Sequence, residues 1–158
     1  MNWIIFTTEC SGKTTFCKTN ANKLGIYDLI DYDKIETSVD EVVMIELMLK
    51  LKTQNNQIYF TNLIPPKFIL NCNNYFDNIS FGIIKLTNEL LKQNIENRHH
   101  KLYNSTYIIE HNKLLGDIVE EIKPLRNKII VFNSFDDFKH KLYPPTPKFN
   151  LKQRIIRL

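Results

Sequence analysis

The sequence predicts an α/β fold, a three-layer α/β/α sandwich around a central, mostly parallel sheet of five strands. Short apolar runs bounded by turn residues alternate with longer segments of helical apolar spacing, which is typical of successive strand–helix–strand units. The chain has 158 residues and is 43% hydrophobic, enough for one domain with its own core. Right-handed crossovers would place the carboxyl ends of the strands on one edge, where ligands bind in this class.

The first half of the chain opens on a continuous apolar run, typical of a strand covered on both faces. A glycine follows the first helical segment and can serve as its C-cap. The predicted elements, in order, are a strand at 3–6, a helix at 12–24 ending at Gly25, a strand at 26–30, a helix at 39–51 and a strand at 58–60.

The second half continues the alternation and then breaks at a proline cluster. The predicted elements, in order, are a helix at 80–96, a fourth strand at 107–109 ending at Glu110, a helix at 114–122 stopped by Pro124, a fifth strand at 128–132 and a short helix capped by Ser134 that ends at Leu142. We therefore expect a single domain over residues 1–143 and a basic tail over 144–158.

The residues after the first strand carry most of the pattern G-x-x-x-x-G-K-[ST] of a phosphate-binding loop. Such a loop points backbone N–H groups at an anion in front of a helix. Gly12 lets the backbone approach a phosphate, Lys13 can reach the β and γ phosphates, and the Thr14 hydroxyl can hold magnesium. The candidate nucleotide-binding residues of the loop are Thr8, Glu9, Cys10, Ser11, Gly12, Lys13, Thr14 and Thr15.

One position of the loop departs from the pattern, because Thr7 stands where the first glycine is expected. That glycine permits an unusual backbone angle, and a β-branched residue is a poor choice for a positive φ. Two alternatives stay open: the loop begins with an altered turn, or Thr7 has an ordinary β conformation. Phosphate binding is the prediction in both cases.

Acidic residues follow the second predicted strand at alternate positions. Asp31 and Asp33 point the same way if the chain stays extended. One carboxylate could hold magnesium, a role given to Asp31, while Asp33 could accept a proton from a substrate hydroxyl. The alternative for Asp33 is a helix N-cap. Glu110, at the end of the predicted fourth strand, is a further candidate magnesium ligand, with a cap or ion pair as the alternative.

The stretch SGKTT after a short apolar strand, followed by an apolar strand ending in D-x-D, resembles the P-loop small-molecule kinases. Shikimate and gluconate kinases share this outline with nucleoside and nucleoside-monophosphate kinases, and the clear match covers residues 2–36. The resemblance implies ATP and Mg²⁺ as cofactors, bound through the loop, with the two aspartates serving metal and substrate. It also places Asn133, after the last strand, where such kinases contact adenine.

Two landmarks of these kinases are missing from the sequence. Thr61 and Asn62 stand where a Gly-Gly-Gly would follow the third strand, and no arginine-rich lid is evident. Arg126 lies between the fourth and fifth predicted strands, where such a lid is expected, which makes it a catalytic candidate. Its alternative is a solvated loop charge.

The resulting hypothesis is an ATP-dependent phosphotransferase acting on a small acceptor, foremost a (deoxy)nucleoside or nucleoside monophosphate. One alternative is a polynucleotide 5′-kinase whose basic tail contacts nucleic acid. The other is a nucleotide-binding protein without turnover.

The composition of the chain indicates its cellular location and its partners. No apolar run approaches a membrane span, no signal peptide is evident, and three cysteines without a C-x-x-C pair indicate neither a disulfide framework nor a zinc site. A net charge of +4 suits polyanionic partners but does not by itself indicate nucleic acid binding. We expect a cytoplasmic protein without a membrane partner, in the host cytoplasm if the Asn- and Ile-rich composition reflects a viral genome. The oligomeric state is left open.

Overall fold

The computed structural model describes residues 1–8, 10–32, 40–62, 79–97, 105–121 and 129–143. Within them the chain forms six strands, β1 (Asn2–Phe6), β2 (Lys23–Leu24), β3 (Tyr27–Asp31), β4 (Gln57–Thr61), β5 (Ile79–Ile84) and β6 (Ile129–Phe132). It also forms the helices α1 (Lys13–Thr19), α2 (Asp40–Thr53), α3 (Asn88–Asn97), α4 (Ser105–Glu121) and α5 (Phe135–Leu142). None of the described helices is both long and apolar enough to cross a membrane.

The strands form one sheet in the order β2-β3-β4-β1-β5-β6. Neighbouring strands from β3 to β6 run parallel, and only the two-residue β2 pairs antiparallel, with β3. The central strand β1 is buried along its whole length, with Ile4 opposite Tyr59 on one side and Phe81 on the other. The mostly parallel sheet is therefore confirmed, with β2 as an additional sixth strand at its edge.

One face of the sheet is covered by α1 and α5 through a cluster of aromatic rings. Phe138 of α5 packs edge-to-face on Trp3 at a centroid distance of 5.7 Å and on Phe60 at 5.9 Å. Phe16 of α1 meets Phe60 at 5.8 Å. Each such pair adds about 0.5–1.5 kcal/mol to what its buried area contributes. The cluster holds both helices against β1 and β4.

The opposite face is covered by α2. Tyr59 alternates with Phe60 along β4, so its ring lies on the other side of the sheet. There it packs against Tyr32 at 6.0 Å, and the Tyr32 hydroxyl donates to Glu46 Oε2 of α2 at 3.1 Å. Burial, followed by Glu46, raises the pKa of Tyr32 to about 12. Helices thus lie on both faces, and the three-layer prediction is confirmed.

The strand order places a crevice at the carboxyl ends of β1 and β5. From β1 the chain passes through α1 to β3, toward one edge of the sheet. From β5 it proceeds to β6, toward the opposite edge. Ligands of open parallel sheets bind where neighbouring strands diverge in this way. The fold therefore brings the segment between β1 and α1 to the position expected of a ligand site.

The helix predicted over 80–96 is wrong in its first half, where the chain forms β5, and α3 begins only at Asn88. The segment ISFGII is a short continuous apolar run, whose type periodicity alone cannot decide. It is a strand because β1 and β6 flank it and both of its faces are covered. Gly82 keeps this strand close to its neighbours: a Cβ there would lie 2.7 Å from Ile5 Cδ1 and 3.2 Å from Phe132 Cε2.

The fourth strand predicted over 107–109 is also wrong, because these residues belong to α4. The buried positions Ile108, Asn112 and Leu115 follow one another at helical spacing. A polar residue in the middle of this buried face hid the pattern in the sequence. Glu110 consequently lies exposed within a helix and not at the end of a strand.

The helix predicted over 12–24 is wrong beyond its first half. Asn20 closes α1 by donating from Nδ2 to a carbonyl of the last turn at 2.8 Å. Ala21 and Asn22 then take left-handed φ values of 53° and 57°, which stops the helix. Gly25, predicted as its C-cap, lies with φ 60° in the turn between β2 and β3.

The other predicted elements agree with the structure to within one or two residues at either end. They are the strands at 3–6, 26–30, 58–60 and 128–132 and the helices at 39–51 and 134–142. The helix predicted over 114–122 begins nine residues after α4 does, and its last residue lies outside the described residues. Ser134 caps α5 as predicted, its hydroxyl accepting from the Asp137 N–H at 3.0 Å. The predicted tail over 144–158 lies outside the described residues, so the domain boundary stays a prediction.

Gly82→Ala is expected to destabilise the fold by about 1–3 kcal/mol, because the added methyl overpacks the space between β1 and β6. Chemical unfolding measures the change. Val131→Ala is the control, since this β6 side chain is 44% exposed and its loss is expected to cost about 0.5 kcal/mol or less. Equal stability losses in the two variants would contradict the close packing of β5.

Candidate nucleotide-binding site

The loop between β1 and α1 begins as a continuation of the strand. The Thr7 N–H donates to the Thr61 carbonyl at 2.9 Å, extending the β1–β4 ladder by one residue, and Thr7 keeps a negative φ. Of the two alternatives for this position, the ordinary β conformation is therefore the one found. The left-handed conformation occurs further on, at Cys10 with φ 58° and at Gly12 with φ 102°.

Among the described loop residues, the two with left-handed φ differ in the conformational free energy that this backbone angle costs. Gly12 adopts its φ without penalty and accepts the first α1 hydrogen bond from the Phe16 N–H at 2.8 Å. Cys10 has a side chain, for which the left-handed conformation costs about 1–2 kcal/mol. The Cys10 carbonyl accepts a hydrogen bond from Asn94 Nδ2 of α3 at 3.0 Å. The loop is thus held from its own helix and from α3.

The first two residues of α1 meet the carboxylate at the end of β3. Lys13 Nζ lies 3.5 Å from Asp31 Oδ1, and the Thr14 hydroxyl donates to Asp31 Oδ2 at 2.6 Å. Lys13 is 6% exposed, an unusual degree of burial for a lysine, while the Asp31 side chain is 29% exposed. The arrangement joins a buried cation, a hydroxyl and a carboxylate at the sheet edge.

Three hydroxyls of the loop are buried without a hydrogen-bond partner among the described residues, and the first is that of Thr7, at the end of the β1 ladder. Thr8 is 1% exposed and Ser11 is 5% exposed. A buried polar group left unsatisfied costs about 1–3 kcal/mol. Hydroxyl and backbone donors around a positive ammonium group are the partners that phosphate oxygens require. The loop therefore fits an anionic, oxygen-rich ligand.

A cavity of about 450 Å³ opens beside the loop, between α1, α3 and α5. The rings of Phe16 and Phe135 lie 5.1 Å apart at their centroids and form its apolar wall. Cavities of this size hold small ligands. The remaining lining residues are polar or belong to the loop and α1, namely Cys10, Gly12, Thr15, Thr19, Asn20, Asn94, Asn97, Asp136 and Lys139.

Two buried titratable groups lie close enough to the loop lysine to sense its charge. Burial, and then the charge of Asp31, raises the pKa of the Cys17 thiol to about 11, so the thiol stays neutral. Burial, and then the positive charge of Lys13, lowers the pKa of His111. His111 lies on α4.

The structure brings together some of the predicted site residues and not others. Thr8, Cys10, Ser11, Gly12, Lys13, Thr14, Thr15 and Asp31 all lie at the loop or beside it. Asn133 is exposed between β6 and α5 and does not line the cavity. Glu110 is exposed on α4, so the strand end on which its metal role was based does not exist. Glu9, Asp33 and Arg126 lie outside the described residues.

Several residues around the site were not predicted from the sequence. Asn94 and Asn97 come from a segment of α3 that carried no recognisable motif. Phe135 follows the correctly predicted Ser134 cap, and that cap is the one signal that could have placed α5 beside the loop. Gly12 and the Phe135 ring line the same cavity, an arrangement that depends on tertiary packing alone.

The oxygens of Thr14 and Asp31 are hard ligands of the kind Mg²⁺ prefers, and Mg²⁺ commonly keeps several waters beside one or two protein ligands. Among the described residues no cluster of three or more His, Cys, Asp or Glu side chains could hold a metal ion. The pair therefore fits a magnesium ion that shares its coordination with phosphate and water. It does not fit a metal held by protein side chains alone.

The chain has an α/β fold with most of a phosphate-loop sequence pattern between β1 and α1, and solved structures of P-loop kinases share this fold. A gluconokinase from Sinorhizobium meliloti 1021 matches with a TM-score of 0.57 and 11% identity over 90% of each chain. A shikimate kinase from Bacteroides thetaiotaomicron matches with a TM-score of 0.52 and 14% identity over 100% of this chain and 99% of that one.

A nucleoside kinase has the same fold. A deoxyadenosine kinase from M. mycoides, solved with bound dATP, matches with a TM-score of 0.51 and 15% identity over the whole of both chains. No protein-family model and no curated protein sequence matches the chain. The predicted resemblance to P-loop kinases is thus confirmed at the level of the fold.

The buried His111 predicts a specific dependence of stability on pH. Burial lowers the pKa of His111 in the folded chain below the 6.5 of an exposed histidine. At pH values between the folded and the unfolded pKa, the unfolded chain binds a proton that the folded chain does not. Stability is therefore lost as pH falls below about 6.5. Replacing the histidine by His111→Gln should reduce this loss between pH 7 and 5.5, measured by urea unfolding at several pH values.

The control for this experiment is His140→Gln, on the exposed side of α5. This variant should show the same fall in stability with pH as the wild-type chain. An unchanged pH dependence in His111→Gln would show that the histidine has the same pKa in the folded and the unfolded chain, contrary to the lowering expected from its burial.

Proposed function

We propose that the protein is an ATP-dependent phosphotransferase that moves the γ-phosphoryl group to a (deoxy)nucleoside or a nucleoside monophosphate. The observation that carries this proposal is the meeting of Lys13, Thr14 and Asp31 at the phosphate loop, within the fold of the P-loop kinases. Phosphoryl transfer needs positioning and charge neutralisation more than covalent chemistry, and this arrangement is suited to both.

The phosphates of ATP bind to the loop. Lys13 neutralises the β and γ phosphates, and the buried hydroxyls of Thr8 and Ser11 donate to phosphate oxygens, which gives each a partner on ligand binding. Thr15, the exposed third residue of α1, contacts the α phosphate. Cys10 contributes its backbone to the same turn, and Glu9 is proposed as a nucleotide-binding residue from its position in the motif.

Thr14 and Asp31 hold the Mg²⁺ that accompanies ATP. The ion, when bound, neutralises charge on the transferred phosphoryl group. Asp31 has a second task, since it orients the ammonium of Lys13. The carboxylate keeps the lysine at the edge of the sheet instead of folded back on the loop.

The nucleoside part of ATP occupies the cavity beside the loop. The Phe16 and Phe135 rings provide an apolar wall for a base, and the amides and charged groups opposite them provide hydrogen bonds. Asn133, at the start of the α5 segment, lies next to this region in the chain. The cavity is continuous with the loop through Gly12, so a nucleotide can occupy both.

The acceptor is the least constrained part of the proposal. A nucleoside kinase among the structures of the same fold supports a nucleoside-type acceptor. Asp33 would accept the proton of the acceptor hydroxyl and Arg126 would stabilise the transferred group, as their sequence positions indicate. A panel of nucleosides, nucleotides and oligonucleotides as acceptors also tests the polynucleotide 5′-kinase alternative. For that alternative, transfer to oligonucleotides would fall steeply with added salt.

Lys13→Ala is expected to weaken ATP binding at least tenfold and to reduce phosphoryl transfer to background, because it removes the cation that meets the phosphates. Titration calorimetry measures binding, and labelled ATP with nucleosides, nucleotides and oligonucleotides measures transfer. Lys18→Ala is the matched control, since Lys18 lies exposed one turn later on α1 and should leave both unchanged. ATP binding that survives Lys13→Ala would overturn the proposed function.

Asp31→Asn is expected to reduce the contribution of Mg²⁺ to ATP binding without weakening the binding of metal-free ATP. The variant keeps the shape of the side chain but loses the negative charge, so binding of metal-free ATP should be equal or tighter. The gain in ATP affinity on adding Mg²⁺ should shrink, and transfer should fall about 100-fold or more. Binding titrations with Mg²⁺ and with a chelator give the ratio of the two dissociation constants for ATP. A ratio equal to that of the wild type would exclude Asp31 as a magnesium ligand.

A further inference from the structure

We infer that Asn94 of α3 is a positioning residue for nucleotide binding: its amide holds the phosphate loop in its binding conformation through the Cys10 carbonyl. This inference rests on the proposed function and extends it to a residue outside the loop motif. Asn94 Nδ2 donates to Cys10 O at 3.0 Å across a separation of 84 residues in the sequence. The contact links the loop to the helix that follows β5 in the chain.

Its helix, α3, is fixed at its N-terminal end, about two turns before Asn94. Thr87 caps α3, because its hydroxyl accepts from the Leu90 N–H at 3.2 Å and its carbonyl from the Leu91 N–H at 3.0 Å. Leu91 is fully buried in the core cluster. Asn94 follows it by three positions and so lies on the same face of the helix. The amide is therefore presented to the loop from an anchored turn.

A second helix braces the same region. Asn112 of α4 donates from Nδ2 to the carbonyl of Leu86 at 2.8 Å, immediately before α3 begins. Asn112 is 1% exposed and Leu86 is 4% exposed, so this hydrogen bond is shielded from water. The backbone that carries Asn94 is consequently tied both to the sheet, through β5, and to α4.

The loop has a reason to need such a contact at this place. Cys10 has a φ of 58°, a conformation that disfavours any residue with a Cβ. The sharp turn there aims the following backbone toward Gly12 and Lys13. A hydrogen bond to the Cys10 carbonyl favours this conformation over the extended alternatives. Without it, the unliganded loop would spend part of its time in conformations that cannot surround a phosphate, and apparent affinity would fall in proportion.

The test begins with Asn94→Ala in the full chain. We expect the Kd for ATP to rise about tenfold, the magnitude of one lost hydrogen bond, while the unfolding midpoint in urea changes little. Asn94→Asp should weaken ATP at least as much, because an ionised carboxylate cannot donate to the carbonyl and repels it. Gln93→Ala is the matched control, an exposed amide one position earlier on α3, and it should bind ATP as the wild type does.

A second substitution separates positioning from general loss of structure. Cys10→Gly removes the Cβ that makes the left-handed conformation unfavourable. We therefore expect Cys10→Gly combined with Asn94→Ala to bind ATP more tightly than Asn94→Ala alone, recovering most of the lost affinity. A merely structural role for Asn94 would leave the defect unchanged by a substitution in the loop.

The possible outcomes are distinguishable. If wild-type protein binds ATP and Lys13→Ala does not, while Asn94→Ala binds as the wild type does, the inference fails and the proposed function stands. A defect in Asn94→Ala that Cys10→Gly fails to reduce also overturns the inference. If wild-type protein does not bind ATP at all, the proposed function fails first. Weakened binding that Cys10→Gly restores supports the inference.

Discussion

The Asp31 carboxylate is the contact on which the arrangement of the site depends. β4 lies between β3 and β1 in the sheet, so the carboxylate and the loop start from strands about 10 Å apart. Lys13 and Thr14 close that gap, one through an ion pair and the other through a hydrogen bond. One side chain thus sets where the beginning of α1 stands relative to the sheet edge. The direction of the lysine and the position of the hydroxyl both follow from it.

Aromatic packing supplies the second constraint, on the other side of the same helix. Phe16 meets Phe60 of the sheet and Phe135 of α5, and Phe135 also approaches Phe60 at 5.8 Å. The first turns of α1 and α5 are therefore positioned by one group of rings. Because Phe135 and Gly12 both line the cavity, this packing also sets the shape of the cavity beside the phosphate loop. Core packing and site geometry cannot be varied independently here.

The features that the sequence predicted well are those encoded by local chemistry. Gly12, Lys13 and Thr14 belong to a motif whose residues serve the loop directly, and the cap at Ser134 needs only its own helix. The failures have a different origin. The run from 79 to 84 could have been a helix or a strand, and pairing with β1 and β6 decided it.

Other parts of the site were beyond prediction because they depend on contacts between distant segments. In α4 a buried asparagine interrupts the apolar stripe. Its Nδ2 donates to a carbonyl near α3, a contact that no local sequence pattern indicates. The hydrogen bond from Asn94 to the loop belongs to the same class. Tertiary hydrogen bonds turn polar residues into interior ones, and periodicity assigns such residues to the surface.

The unsatisfied hydroxyls of Thr8 and Ser11 have a consequence for the thermodynamics of the whole chain. A ligand that satisfies them binds the folded chain and not the unfolded one, so it shifts the folding equilibrium by mass action. At a concentration of about 100 times its dissociation constant, such a ligand adds about 2.7 kcal/mol to the free energy of unfolding. The fraction of molecules that is folded, and with it resistance to proteolysis, then depends on how much nucleotide the surroundings contain.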